Sequence, residues 1–163
     1  MEPSTITSTV AIVLSAIAIG WNIYRDAIQK PKFRVSVSLK SIHQLGKESD
    51  GPHIYVEAIN LGPLPNRANS VFACPSWFGR KFRRRLSAYI SPDWNHIAAT
   101  KPAQRIEVGD TATFVFPFAK ECFLGEPFAF IGVSDGYGRM HWAPKKQYHD
   151  VHSKYVEKYG TDS

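Results

Sequence analysis

From Thr5 to Tyr24 the chain reads TITSTVAIVLSAIAIGWNIY, with no charged side chain in the window. A helix of that length spans about 30 Å, the thickness of a bilayer's hydrocarbon core. Val10, Ile12, Leu14, Ile17 and Ile19 carry its apolar character. Thr5, Thr7, Ser8, Thr9 and Ser15 dilute it, but hydroxyls in a helix can bond back to its own carbonyls. Trp21 and Tyr24 fall at the C-terminal end, where amphipathic rings favour the lipid–water interface. The pattern predicts a tail over residues 1–4, a transmembrane helix over 5–28 and a linker over 29–32. Pro31 within Lys30-Pro31-Lys32 cannot continue the helical hydrogen bonds.

Immediately afterwards the period changes. Phe33-Arg34-Val35-Ser36-Val37-Ser38-Leu39-Lys40 alternates apolar and polar, which is the signature of a half-buried strand. Further strands are expected over Ile54–Ile59, Ser70–Cys74, Phe82–Ile90, Arg105–Val108, Thr111–Phe116, Pro127–Ser134 and Arg139–Ala143. Turn residues separate them, among them Asn60-Leu61-Gly62-Pro63 and Asp135-Gly136-Tyr137-Gly138. Ser91 to Pro102 reads as a long loop. Short strands at this spacing predict an all-β, antiparallel sandwich or barrel over residues 33–144. Residues 145–163 read as a C-terminal helix and tail, because Tyr148, Val151, Tyr155 and Tyr159 recur at helical spacing before Gly160.

Three stretches carry a resemblance. Val56-Glu57-Ala58-Ile59-Asn60-Leu61-Gly62-Pro63 resembles the second strand of bacterial immunoglobulin-like domains, which ends in an Asn-x-Gly turn. Arg105-Ile106-Glu107-Val108-Gly109-Asp110 resembles their corner before a strand, and Ile131 to Arg139 their last hairpin. With the preceding helix, the chain is similar to small bacterial membrane-anchored proteins with one transmembrane helix and an immunoglobulin-like β-sandwich. The Cys…Trp…Cys pattern of antibody domains is missing. The resemblance implies a fold and no particular chemistry.

Charge orients the anchor. No Lys or Arg precedes the helix, whereas Arg25, Lys30, Lys32 and Arg34 follow it. The positive-inside rule then predicts a single-pass protein of the cell (inner) membrane with its C-terminal domain in the cytoplasm. A cleaved signal peptide is the rival, since Ala16-Ile17-Ala18 resembles a cleavage site, but the segment before it lacks the usual cations. A buried helix of a soluble protein is a second rival. Cys74 and Cys122 form no CxxC and are expected to be reduced, buried small hydrophobes, with a bridge as the alternative. Ala11 with Ser15, and Ala16 with Gly20, place small residues four apart, a spacing that lets helices pack closely in lipid.

The chain carries 20 Lys and Arg against 14 Asp and Glu, a balance that favours anionic partners. The excess is concentrated in Arg80-Lys81-Phe82-Arg83-Arg84-Arg85, behind Trp77 and Phe78 and before Tyr89. Three readings stay open: a solvated basic hairpin, contact with anionic membrane lipid, or an acidic protein or nucleic acid. Nucleic acid ranks last because no nucleic-acid fold motif accompanies the run. Trp94 is a candidate partner contact or a ring folded back on the core.

Catalysis finds little footing. There is no G-x-S-x-G elbow and no phosphate-binding glycine loop. Ser134, Asp135 and His141 have arbitrary spacing for a triad, and His149 with His152 lacks further ligands for a metal. No cofactor and no small-molecule substrate is expected. The expectation is a membrane-tethered, non-enzymatic scaffold or accessory subunit that binds a protein partner. The alternatives are an anionic-lipid or nucleic-acid module acting through Arg80–Arg85, and an oligomerising membrane effector of a bacterial defence system.

Overall fold

The computed structural model describes residues 3–28, 30, 32–42, 50–76, 88–101 and 104–160. Helix α1 (Pro3–Ile28) is followed by eight strands: β1 (Phe33–Ile42), β2 (Asp50–Asn60), β3 (Asn66–Cys74), β4 (Ala88–Ile90), β5 (Arg105–Ile106), β6 (Thr111–Pro117), β7 (Phe130–Asp135) and β8 (Met140–Trp142). Helix α2 (Lys145–Tyr159) closes the described chain. All strand pairs are antiparallel. One sheet has the order β1-β2-β6; the other has β4-β3-β7-β8, with β5 added beside β3.

Strand alternation explains the core. Register places Val35 opposite Ala58 and Ala58 opposite Ala112. The next rows are Val37-Val56-Phe114 and Leu39-Ile54-Phe116. Because side chains two apart share a sheet face, these rows line one apolar face. In the second sheet Val71 pairs with Val133 and Ile90, and Ala73 with Ile131. Both sheets contribute to a single hydrophobic cluster, which α2 completes with Tyr148, Val151 and Tyr155.

The sheet edges are covered. Asp93 and Thr100 donate backbone N–H bonds to Val115 and Thr113 on β6, at 2.7 and 2.8 Å. The Thr100 hydroxyl accepts from Thr113 N–H in return. At the other edge, Val37 N–H donates to Gln147 Oε1 on α2. Filling outward-facing backbone groups removes a template for unwanted strand pairing.

Several boundaries differ from the sequence expectation. β3 begins at Asn66 rather than Ser70, because its first residues pair with β5. β7 begins at Phe130 rather than Pro127: Phe128 N–H turns back to the Glu126 carbonyl, and the bonds to β3 start with Ala129 N–H on the Cys74 carbonyl. Of the strand expected over Phe82–Ile90, Ala88–Ile90 is seen, and residues 77–87 lie outside the described residues.

Asn60 is fully buried at the end of β2. Its Nδ2 donates to the carbonyls of Leu64 and Ile106 at 2.9 and 3.1 Å, and its Oδ1 accepts from Gly62 N–H. Its own backbone bonds the turn at Gly109 and Asp110. Asn60→Asp keeps the shape but points a carboxylate at two carbonyls. Chemical denaturation should show a loss of about 3 kcal/mol, from two lost donors and an unfavourable buried charge. A loss smaller than that of an average surface substitution contradicts this role.

Candidate functional site

Helix α1 comes first in the chain and stands apart from the core. Its segment Thr7–Arg25 is long and apolar enough to cross a membrane, and none of it is buried by the rest of the protein. A signal sequence near an N-terminus has the same length and composition. The Ser15 hydroxyl donates to the Ala11 carbonyl at 2.8 Å, so this polar group is satisfied within the helix. Trp21 and Tyr24 lie side by side, ring centroids 5.9 Å apart, at its C-terminal end. Val10, Ile12, Leu14, Ile17 and Ile19 are all exposed, as are Ala11, Ser15, Ala16 and Gly20. From Ile28 to Phe33 is five residue steps. Those steps reach at most about 17 Å, so α1 leaves from the end of the strands where β1 starts.

That end is built by two buried polar side chains. Asn60 holds the 61–65 loop to β5, as described above. Asp135, also fully buried, closes the β7–β8 hairpin. Its Oδ1 accepts from the N–H groups of Tyr137 and Arg139 at 2.9 and 2.8 Å, and its Oδ2 meets His141 Nε2 at 3.0 Å. His141 Nδ1 accepts from Phe33 N–H at 3.4 Å. With Nδ1 accepting from Phe33, the Nε2 proton is the one that faces Asp135. The first residue of β1 is thereby tied to the hairpin.

Between these two knots lies an open groove of about 450 Å³ lined by Leu64, Pro65, Asn66, Arg67, Arg105, Gly136 and Tyr137. Pairing of β3 with β5 sets Arg67 opposite Arg105. Arg67 and Arg105 are both exposed, and Arg105 bonds Glu107 through Nε at 2.9 Å. Asn66 is 6% exposed, and its Nδ2 has no acceptor among the described residues. A buried donor without an acceptor costs about 1–3 kcal/mol. Gly136 has no side chain because a Cβ there would sit 3.0 Å from Asn66 Oδ1. Leu61, Leu64, Val108 and Tyr137 are exposed apolar side chains at this same end.

A second surface is the outward face of the β4-β3-β7-β8 sheet. Tyr89 pairs with Phe72, Phe72 with Gly132, and Gly132 with Trp142. The Tyr89 and Phe72 rings meet edge to face at 6.0 Å. A Cβ on Gly132 would lie 2.8 Å from the Trp142 ring, so glycine lets the indole lie over the sheet. The outcome is an aromatic row across four strands, with Tyr89 55% exposed.

The third feature is a cleft of about 510 Å³ between the Lys120–Glu126 turn and α2. Cys122 and His152 line it. His152 stacks on Tyr148, with centroids 6.1 Å apart. Burial pushes the Cys122 thiol up, away from thiolate chemistry at neutral pH. Burial, reinforced by Cys122, also raises Tyr148 well above an ordinary phenol, and its hydroxyl has no hydrogen-bond partner among the described residues.

Other candidates from the sequence separate cleanly. Ser134 Oγ donates to Ser70 O, and His141 gives its second nitrogen to a backbone amide, so Ser134, Asp135 and His141 form no nucleophile relay. His149 is exposed beside Ser153, apart from the stacked His152. No group of three or more His, Cys, Asp or Glu that could hold a metal occurs among the described residues. Cys74 is buried and unbridged, as is the half-buried Cys122. Trp94 is half-buried against Phe114 at 5.9 Å, part of the core margin. Trp77, Phe78, Arg80, Lys81, Arg83, Arg84 and Arg85 lie outside the described residues. Their flanks, Cys74 and Ala88, pair with Phe130 and Ala73 at the end opposite α1. The groove and the aromatic row escaped the sequence reading, because both depend on which strands pair.

Tyr148→Phe removes an unpartnered hydroxyl, and thermal unfolding at pH 7 should show unchanged or higher stability, by up to about 1 kcal/mol. Above the unfolded phenol value of 10.0 the unfolded chain ionises while the buried Tyr148 stays protonated, so wild type loses stability as pH rises past it. The variant should therefore lose less stability than wild type above pH 10; parallel alkaline limbs rule this out.

No protein-family model matches the chain, and neither a curated protein nor a solved structure matches it.

Proposed function

We propose that the chain is a membrane-tethered, non-enzymatic binding protein: α1 crosses the bilayer, and the β domain presents its aromatic sheet face to a protein partner. The order β1-β2-β6 opposite β4-β3-β7-β8 supports an immunoglobulin-like sandwich for that domain. Cations that follow the helix, Arg25, Lys30, Lys32 and Arg34, favour a cytoplasmic domain at the inner membrane.

The observation that carries the reading is the row Tyr89-Phe72-Trp142 over Gly132. Large, stiff rings on a flat sheet supply contact area at low entropic cost, which is how interface anchors work. The Asp135–His141 pair, by contrast, is consumed in holding the fold. An accessory subunit works close to the lipid, and the five residue steps from Ile28 to Phe33 support that reading by limiting how far the β domain stands from α1.

The full chain, purified in mild detergent from the membranes of its own cell, should carry a second protein at fixed stoichiometry. Tyr89→Ser with Phe72→Ser should release that protein, with affinity lower by about 30-fold or more for loss of an anchor pair. Retention of the partner by the folded double variant defeats this surface, and a lone monomer defeats the subunit reading.

A further inference from the structure

We infer that the groove at the helix-bearing end is a lipid-headgroup site: Arg67 and Arg105 hold the phosphodiester of an anionic phospholipid against Asn66 and Tyr137. The inference rests on the tethered reading, because the bilayer supplies the ligand.

Position comes first. β1 starts beside the end of β2, and Leu61 N–H donates to the Lys32 carbonyl at 2.8 Å. The 61–65 loop, the β7–β8 hairpin and β5 therefore share the end from which α1 departs. If α1 crosses a bilayer, this end faces the headgroups. Chemistry agrees with position. Among the described residues six large apolar side chains are exposed outside α1, and Leu61, Leu64, Val108 and Tyr137 of these lie at this end. Apolar groups among cations suit an interface where acyl chains begin and phosphates end.

Charge has the matching sign. Lys32, Arg34, Arg67, Arg105 and Arg139 lie at this end against Glu107, Asp110 and the buried Asp135. Glu107 holds Arg105 through Nε, and the exposed Arg105 side chain lines the groove. Two guanidinium groups in opposed register recognise tetrahedral phosphate oxygens through paired donors, which a lone lysine does not. Asn66 lines the groove beside them, its Nδ2 closed off from solvent and without an acceptor among the described residues. Gly136 keeps the groove floor open beside it.

The test uses the full chain in detergent, with amide chemical shifts as the readout. Dihexanoyl phosphatidylglycerol, dihexanoyl phosphatidylcholine and inorganic phosphate are titrated separately. Phosphatidylglycerol should shift the Gly136 and Tyr137 amides saturably, at about 30-fold lower concentration than phosphatidylcholine, given about fivefold per cation. Arg67→Gln with Arg105→Gln should abolish that preference at unchanged melting temperature. Tyr137→Ser, at an exposed position, should weaken binding and serves if the double variant unfolds. Equal response to both lipids, a wild-type response in either folded variant, or no shift at these amides overturns the proposal. Inorganic phosphate binding as tightly as the lipid overturns the lipid source. Alkaline carbonate extraction separates the two readings: release of the wild-type chain from membranes defeats the tether, whereas a retained chain without lipid preference defeats only the groove.

Discussion

The buried amide of Asn60 is the interaction on which the helix-bearing end of this protein depends. It satisfies two carbonyls and one N–H from two different segments, the 61–65 loop and β5, at a site with no access to water. Each of those backbone groups would otherwise be buried without a partner, at a cost comparable to a lost hydrogen bond. The 61–65 loop, β5 and the turn before β6 take their places from this one side chain and its backbone. Arg67 and Arg105 meet only because β5 is held there.

Asp135 performs the same service across the gap. A carboxylate out of water is tolerable when several donors surround it, and three do so here. Through His141 it also reaches Phe33, so the point where the chain enters the β domain is fixed to the hairpin. Apart from Asn66, these are the buried polar residues among those described, and all three sit at the end where α1 leaves. The remaining interior is apolar. Polar specificity is concentrated where a tether would transmit orientation, and apolar packing does the rest.

The surfaces divide accordingly. The end bearing α1 is basic and carries exposed leucine, valine and tyrosine side chains. The aromatic row stands on a sheet face, supported from within by Val71, Ala73, Ile131 and Val133, which are inaccessible to solvent. Cys74 and Ala88, the described ends of β3 and β4, lie at the opposite end of the strands from the Arg67–Arg105 groove.

Much of the architecture was legible in the residues alone. The uninterrupted apolar window marked α1, the alternation from Phe33 to Lys40 marked β1, and tyrosines at helical spacing marked α2, because these patterns depend only on neighbours along the chain. Asp135-Gly136-Tyr137-Gly138 announced its turn in the same local way. The start of β3 at Asn66 was not legible, because its partner β5 lies some forty residues away. Nor was the role of His141, whose two partners come from a hairpin turn and from the first residue of β1. Periodicity determined which residues face inward and that a long apolar helix precedes a β domain. Tertiary pairing alone decided which side chains became neighbours: Arg67 with Arg105, Tyr89 with Phe72, and Gly132 beneath Trp142. A strand's pattern says which face a side chain takes, but only register says what stands beside it.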